Sequence, residues 1–146
     1  MSQKIIKAVG VIMEKPDGDI LVLKRHKDSL EGEKLGLVGG YIDKQEDAVS
    51  ALQREAREEI GIEIDIAKLI HLKTYNWNTS EGSLTFETYK YFVNESQEIK
   101  LDEVENTAYF WMNPKDLYKR PDLMKGLYPI LEDEFGVMSS QPRHPL

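Results

Sequence analysis

The stretch GYIDKQEDAVSALQREAREEIGI, Gly40 to Ile62, holds the strongest helical period in the chain. Val49, Leu52, Ala56 and Ile60 recur at helical spacing and make one apolar stripe, which predicts a helix over Ala48 to Ile60. Asp43, with Glu46 three residues later, and Asp47 are alternative caps for its start. Its end is better marked, because Gly61 stands where a left-handed residue stops a helix and Ile62 follows as the apolar contact. Glu55, Glu58 and Glu59 lie at i, i+3 and i+4, so they share one helix face. Like charges at that spacing cost roughly 0.2–0.5 kcal/mol per pair. A hard divalent cation offsets the cost, since Mg²⁺ and Mn²⁺ favour carboxylate oxygens in a compact cluster. Taken alone, the triplet reads more simply as a solvated acidic face laced with Arg54 and Arg57.

Working outward, Ile5–Met13 and Ile20–Leu23 are apolar runs separated by the turn cluster Lys15-Pro16-Asp17-Gly18-Asp19, which predicts a hairpin. Lys27 to Leu35 is polar and reads as a loop. Gly36-Leu37-Val38-Gly39-Gly40 reads as a strand edge followed by a tight bend. Beyond the helix, Glu63–Tyr75 and Leu84–Val93 read as strands joined by a polar turn through Asn78 to Gly82, and Ala108–Met112 as a short aromatic strand. Pro114–Tyr118 reads as one helical turn. Asp122–Phe135 reads as a further helix that Pro129 breaks or restarts. The tail, 139–146, is expected to fray. Strands with a few helices, not strictly alternating, predict one α/β domain over 1–138 with helices packed on a mixed β-sheet.

Composition narrows the function classes. With 146 residues, 40% hydrophobic and 31% charged, the chain reads as one globular unit with a core of its own. It has no cysteine, which excludes disulfides and thiolate–zinc sites and fits a reducing compartment, so a cytoplasmic location is expected. A net charge of −7 argues against a broad nucleic-acid or anionic-membrane surface, which needs clustered Lys and Arg. No apolar run is long enough to span a bilayer, and the N-terminal residues lack the apolar core of a secretory signal.

In context the acidic triplet is much more specific. Gly40, Glu46, Arg54-Glu55, Glu58-Glu59 and Gly61, with aliphatic Ile62, stand at every fixed polar and glycine position of G-x5-E-x7-R-E-U-x-E-E-x-G-U. The segment resembles the Nudix box. Ala56 is a small choice for the first aliphatic position. Leu35 and Val38 stand where many members carry tryptophan and proline, and Gln45 where glycine is common; none of these removes an acidic residue. The resemblance implies a Nudix-type α/β/α sandwich and metal-dependent hydrolysis of a pyrophosphate bond in a nucleoside diphosphate linked to another moiety. Nucleoside triphosphates, oxidised forms included, are the leading substrate class. It implies Mg²⁺, with Mn²⁺ as a substitute; Glu58 and Glu59 as core metal ligands; and Glu55 as a further ligand or the residue that orients or deprotonates water. The Gly39 carbonyl is a further implied ligand. Glu46 and Arg54 are expected to pair and brace the corner between loop and helix, with Gly40 and Gly61 structural. A homodimer is a family-level expectation. The rival reading is a non-catalytic Nudix module that senses a nucleotide or binds a protein, against which the intact Arg54-Glu55 and Glu58-Glu59 pairs argue.

Outside the box, the resemblance implies a further acid that helps hold metal or acts as base, with Glu105 the first candidate and Glu103 the second; an ordinary acidic loop is the equal alternative. Lys24 and Arg25 close the second strand and are candidates for phosphate contacts, Arg25 in two-pronged fashion; exposed strand-end cations are the equal alternative. Trp77 is the aromatic candidate for stacking on a base, with Tyr75, Phe86, Tyr89 and Trp111 behind it, although strand aromatics more often fill cores. His26 and His71 lack ligand spacing and read as surface or half-buried residues.

Overall fold

A computed structural model describes residues 4–138. The expected tail at 139–146 lies outside the described residues. Its strands are β1 (Ile5–Glu14), β2 (Ile20–Arg25), β3 (Leu35–Gly36), β4 (Val38–Tyr41), β5 (Ile70–Thr79), β6 (Gly82–Phe92) and β7 (Asn106–Met112). Its helices are α1 (Ala48–Ile60), α2 (Pro114–Tyr118) and α3 (Leu127–Phe135). The sheet runs β3-β2-β1-β6-β5, with β4 paired to β1 and β7 to β2.

Strand β1 is the spine, and its sequence shows why. Ala8 to Met13 are all buried, so no face of the strand is left for water. Val9, Val11 and Met13 point into the core beneath α1, while Ile12 points into the core beneath α2 and α3. β2 splits the same way, with Leu21 and Leu23 on the α1 side and Ile20 and Val22 on the other. The mixed sheet is therefore the middle layer of an α/β/α sandwich. β1 runs parallel to β6 from Ile5↔Ser83 to Glu14↔Phe92 and antiparallel to β4 from Ala8↔Tyr41 to Val11↔Val38. Gly10 lies on this spine because the Phe86 ring covers it, and a Cβ there would come within 2.7 Å of the ring.

The structure departs from the sequence reading at four places. The β1–β2 hairpin is one residue pair deep, Glu14↔Ile20, after which β4 takes over the edge of β1 and β7 pairs along β2. The glycine-rich segment divides into β3 and β4, which pair with different strands. The strand expected from Glu63 begins only at Ile70, because the Asp65 side chain accepts from Ala67 N at 3.1 Å and caps a 3-10 turn over Ile66–Lys68. The helix expected from Asp122 begins at Leu127. Before it, Asp122 to Met124 lie extended against Leu35, whose N–H donates to Asp122 O and whose carbonyl accepts from Met124 N, both at 2.9 Å. Pro129 then falls in the first turn of α3, where a missing N–H costs no helical bond.

Asp47 is the N-cap of α1, accepting from Ser50 N at 2.8 Å; Asp43 instead donates its N–H to Glu46. Gly61, at φ 70°, turns the chain away, with its N–H on Arg57 O and that of Ile62 on Ala56 O. The helix is tied down by Leu52, Ala56 and Ile60, all fully buried. Leu52→Ala is expected to destabilise the protein by about 2–5 kcal/mol in urea unfolding. Ile66→Ala, on a side chain half exposed to water, is expected to change it by about 0.5 kcal/mol or less.

Candidate active site

The C-terminal half of α1 turns its acidic face toward β4 and the start of β7. Arg54 organises the near side. Its Nε and Nη2 grip Glu46 Oε2 and Oε1 at 2.7 and 2.9 Å, Nη2 also donates to Tyr41 O, and Nη1 donates to Glu55 Oε1 at 2.9 Å and Glu58 Oε2 at 3.3 Å. The two-pronged bond fastens the loop before the helix onto the helix itself. The same bond holds the Glu46 carboxyl below its ordinary range.

Glu59 is the centre of the site. Only 6% of it is exposed, yet it is a carboxyl group on a helix face otherwise rich in charge. Gly39 N donates to its Oε1 at 2.9 Å and Asn106 Nδ2 to its Oε2 at 3.1 Å. Burial nevertheless pushes its pKa up to about 8, with Glu55 and Glu105 adding repulsion. Glu55 is also raised, by burial first and against the pull of Arg54. One carboxylate oxygen from each of Glu55, Glu59 and Glu105 lies within 4.8 Å of the others. Gly40 leaves room for this arrangement, since a Cβ there would sit 2.7 Å from Glu55 Oε1. Gly39 is needed on the opposite side, where a Cβ would meet Val9 O at 2.0 Å.

The donor set fits a hard divalent cation. All three groups offer carboxylate oxygen, and the most buried of them faces two more acids while the Arg54 guanidinium is spent on Glu46, Glu55 and Glu58. A buried carboxylate in that position is costly unless a retained proton or an arriving positive charge neutralises it.

The family model described as NUDIX domain matches residues 4–133. The chain belongs to the NUDIX family. A curated relative, the CTP pyrophosphohydrolase of Escherichia coli (strain K12), is 26% identical over 151 residues, covering 95% of this chain and 98% of the relative. The fold superposes on the MutT protein from Methanosarcina mazei Go1 with a TM-score of 0.79 at 20% identity, covering 91% of this chain and 94% of that one. It superposes on the MutT NUDIX hydrolase from Burkholderia pseudomallei at 0.77 and 24% identity, covering 90% and 99%. The family model and the curated relative set the chain among the Nudix pyrophosphohydrolases, and the two superpositions show the shared fold.

Within this Nudix fold the residues singled out from sequence fall into three groups. Glu55, Glu59 and Glu105 come together, with Gly39 and Gly40 against them. Glu58 stands beside that group rather than in it, more than half exposed and held by Arg54. Glu105 joins the cluster, whereas Glu103 does not. Arg25 sits opposite Asn106 at the end of β2, but its Nε donates to Leu30 O at 2.9 Å and so braces the following loop. The charge of Lys24 bears on Asp122. Trp77 is not brought to the acidic cluster. It packs on the α3 side between Tyr75 and Phe86 and against Gly126, where an added Cβ would come within 2.8 Å of its ring. Tyr75 donates to Asp133 at 2.6 Å, which docks α3 on the sheet. His71 pairs with Glu87 at 2.8 Å. Asn106 was not apparent as a functional residue from sequence, where it reads as one more polar residue ahead of a strand.

The raised Glu59 carboxyl has a measurable sign. Between its ordinary value of 4.5 and about 8, the unfolded chain has released a proton that the metal-free native protein retains. Stability contributed at this residue is therefore highest below the lower value and is lost as pH rises through the window. In EDTA, wild type is expected to lose stability relative to Glu59→Gln between pH 5 and pH 8, measured by urea unfolding. A constant difference between the two proteins across that range would contradict the assignment.

Proposed function

We propose that this Nudix protein hydrolyses a pyrophosphate bond in a nucleoside diphosphate linked to another moiety, with a divalent cation, Mg²⁺ first and Mn²⁺ as substitute. A nucleoside triphosphate is the leading substrate class. The reading rests on one observation above all, the convergence of Glu55 and Glu105 on the buried carboxyl of Glu59. The name of the Escherichia coli relative makes CTP the first substrate to test, with other normal and oxidised nucleoside triphosphates beside it.

Glu59 and Glu105 would offer oxygens to the ion, with Glu58, now held by Arg54, and the Gly39 carbonyl as further candidates. When bound, the ion screens phosphate oxygens and lowers the pKa of water. Glu55 suits the proton transfer. Burial raises its pKa toward the range useful to a general base, and Arg54 fixes the orientation of its Oε1. Water oxygen bonds to a phosphorus of the substrate's phosphate chain, the bridging P–O bond to that phosphorus breaks with its oxygen leaving on the other product, and the proton passes from water to Glu55. From a nucleoside triphosphate the products are a nucleoside monophosphate and pyrophosphate.

Incubation with nucleoside triphosphates, nucleotide sugars and dinucleotides, with Mg²⁺ or with EDTA, is read by product mass. Cleavage of one class that EDTA abolishes is the expected result. Glu55→Gln is expected to lower kcat by about 10²–10⁴-fold. Turnover that survives both EDTA and that substitution would refute the proposal, and tight nucleotide binding without turnover would favour the sensing module.

A further inference from the structure

Asn106 stands at the first position of β7, and only 2% of it is exposed. A buried amide must find partners, and the partner here is Glu59, 47 residues away in the chain. The strand is built to make that contact. β2 and β7 pair regularly from Ile20↔Met112 to Lys24↔Ala108, and the next pair is Arg25↔Asn106. The register slips by one residue between Lys24 and Arg25, so Thr107 is the inserted residue. Without the slip, Thr107 would stand opposite Arg25 on the α1 side and Asn106 would face away. The bulge re-aims one side chain, a recurring use of such irregularities near sites.

The result is that Glu59 is held by two donors from two strands. Gly39 N of β4 takes Oε1, and Asn106 Nδ2 of β7 takes Oε2. A carboxylate only accepts, so the nitrogen of the amide faces it. Glutamate has free torsions that a single hydrogen bond leaves partly open; one donor on each oxygen fixes both the reach and the plane of the group. The chemistry of the donor matters too. An amide donates without bringing charge, whereas Lys or Arg at 106 would neutralise the carboxylate and compete with a cation.

We propose that Asn106 is a positioning residue, which sets the orientation of Glu59 and thereby the affinity of the site for a divalent cation. The proposal rests on the metal-site reading above. Partners that orient metal ligands are commonly worth about 10–100-fold in metal affinity.

The test is Mn²⁺ binding to metal-free protein, with free Mn²⁺ read by electron paramagnetic resonance, for wild type and Asn106→Leu, which keeps the volume and removes the donor. Near-ultraviolet circular dichroism checks the fold. The expected result is a Kd for Mn²⁺ raised about 10–100-fold in the variant. With CTP as probe, its kcat is expected to recover as Mn²⁺ is raised while KM for the nucleotide stays put. If Asn106→Leu does not fold, Asn106→Ser, too short to reach Glu59, is held to the same criterion. A folded variant whose Kd stays within about twofold of wild type, against that expectation, overturns the role of Asn106 and leaves the metal site standing. Wild type with no Mn²⁺ site overturns both.

Discussion

The structure around the site depends on one costly arrangement, the burial of the Glu59 carboxylate between the end of α1 and the sheet. Every nearby feature answers to it. Gly39 has no side chain because its N–H must reach Glu59 while its α-carbon lies against Val9 of the next strand. Gly40 has none because Glu55 occupies the space beside it. Arg54 is turned to Glu46, so the guanidinium braces the loop and shares little charge with Glu59. In the metal-free protein a retained proton balances the charge at the centre; in the proposed hydrolysis a divalent cation takes that role.

The sheet supplies the rigidity this needs. β1 is apolar on both faces, pairs in parallel with β6 and antiparallel with β4, and is covered by helices on both sides. A carboxylate carried by a loop would relax toward water and regain solvation. Carried by α1, whose Leu52, Ala56 and Ile60 are fully buried, it is held where it is. The same helix packing that stabilises the fold therefore maintains the strained electrostatics of the site.

What was legible in the sequence was what is encoded locally. The stripe Val49, Leu52, Ala56, Ile60 and the stop at Gly61 define α1, and the spacing of its glutamates is readable because helix geometry turns spacing into a face. Partners across the sheet were not legible. Nothing in Ile5–Met13 says that its long neighbour is β6 rather than β2, because β1 is apolar on both faces and both strands offer apolar residues to pair with it. Asn106 was hidden for a related reason, since its direction depends on a bulge, a property of two strands together. Trp77 fell on the α3 face because the parity of β5 and the glycine at 126 put it there, which local sequence does not reveal. The choice between Glu105 and Glu103 required the backbone as well, where His26 N donates to Glu105 O and fixes that residue beside β2.

If a divalent ion completes the buried Glu59 site, as proposed, its binding stabilises the fold. Thermal unfolding with and without Mg²⁺, in wild type and Glu59→Gln, tests it directly. A rise in Tm is expected for wild type, corresponding to about 2.7 kcal/mol at a hundredfold excess over Kd, and little or none for the variant. Equal shifts in the two proteins, or no shift in wild type, would contradict it.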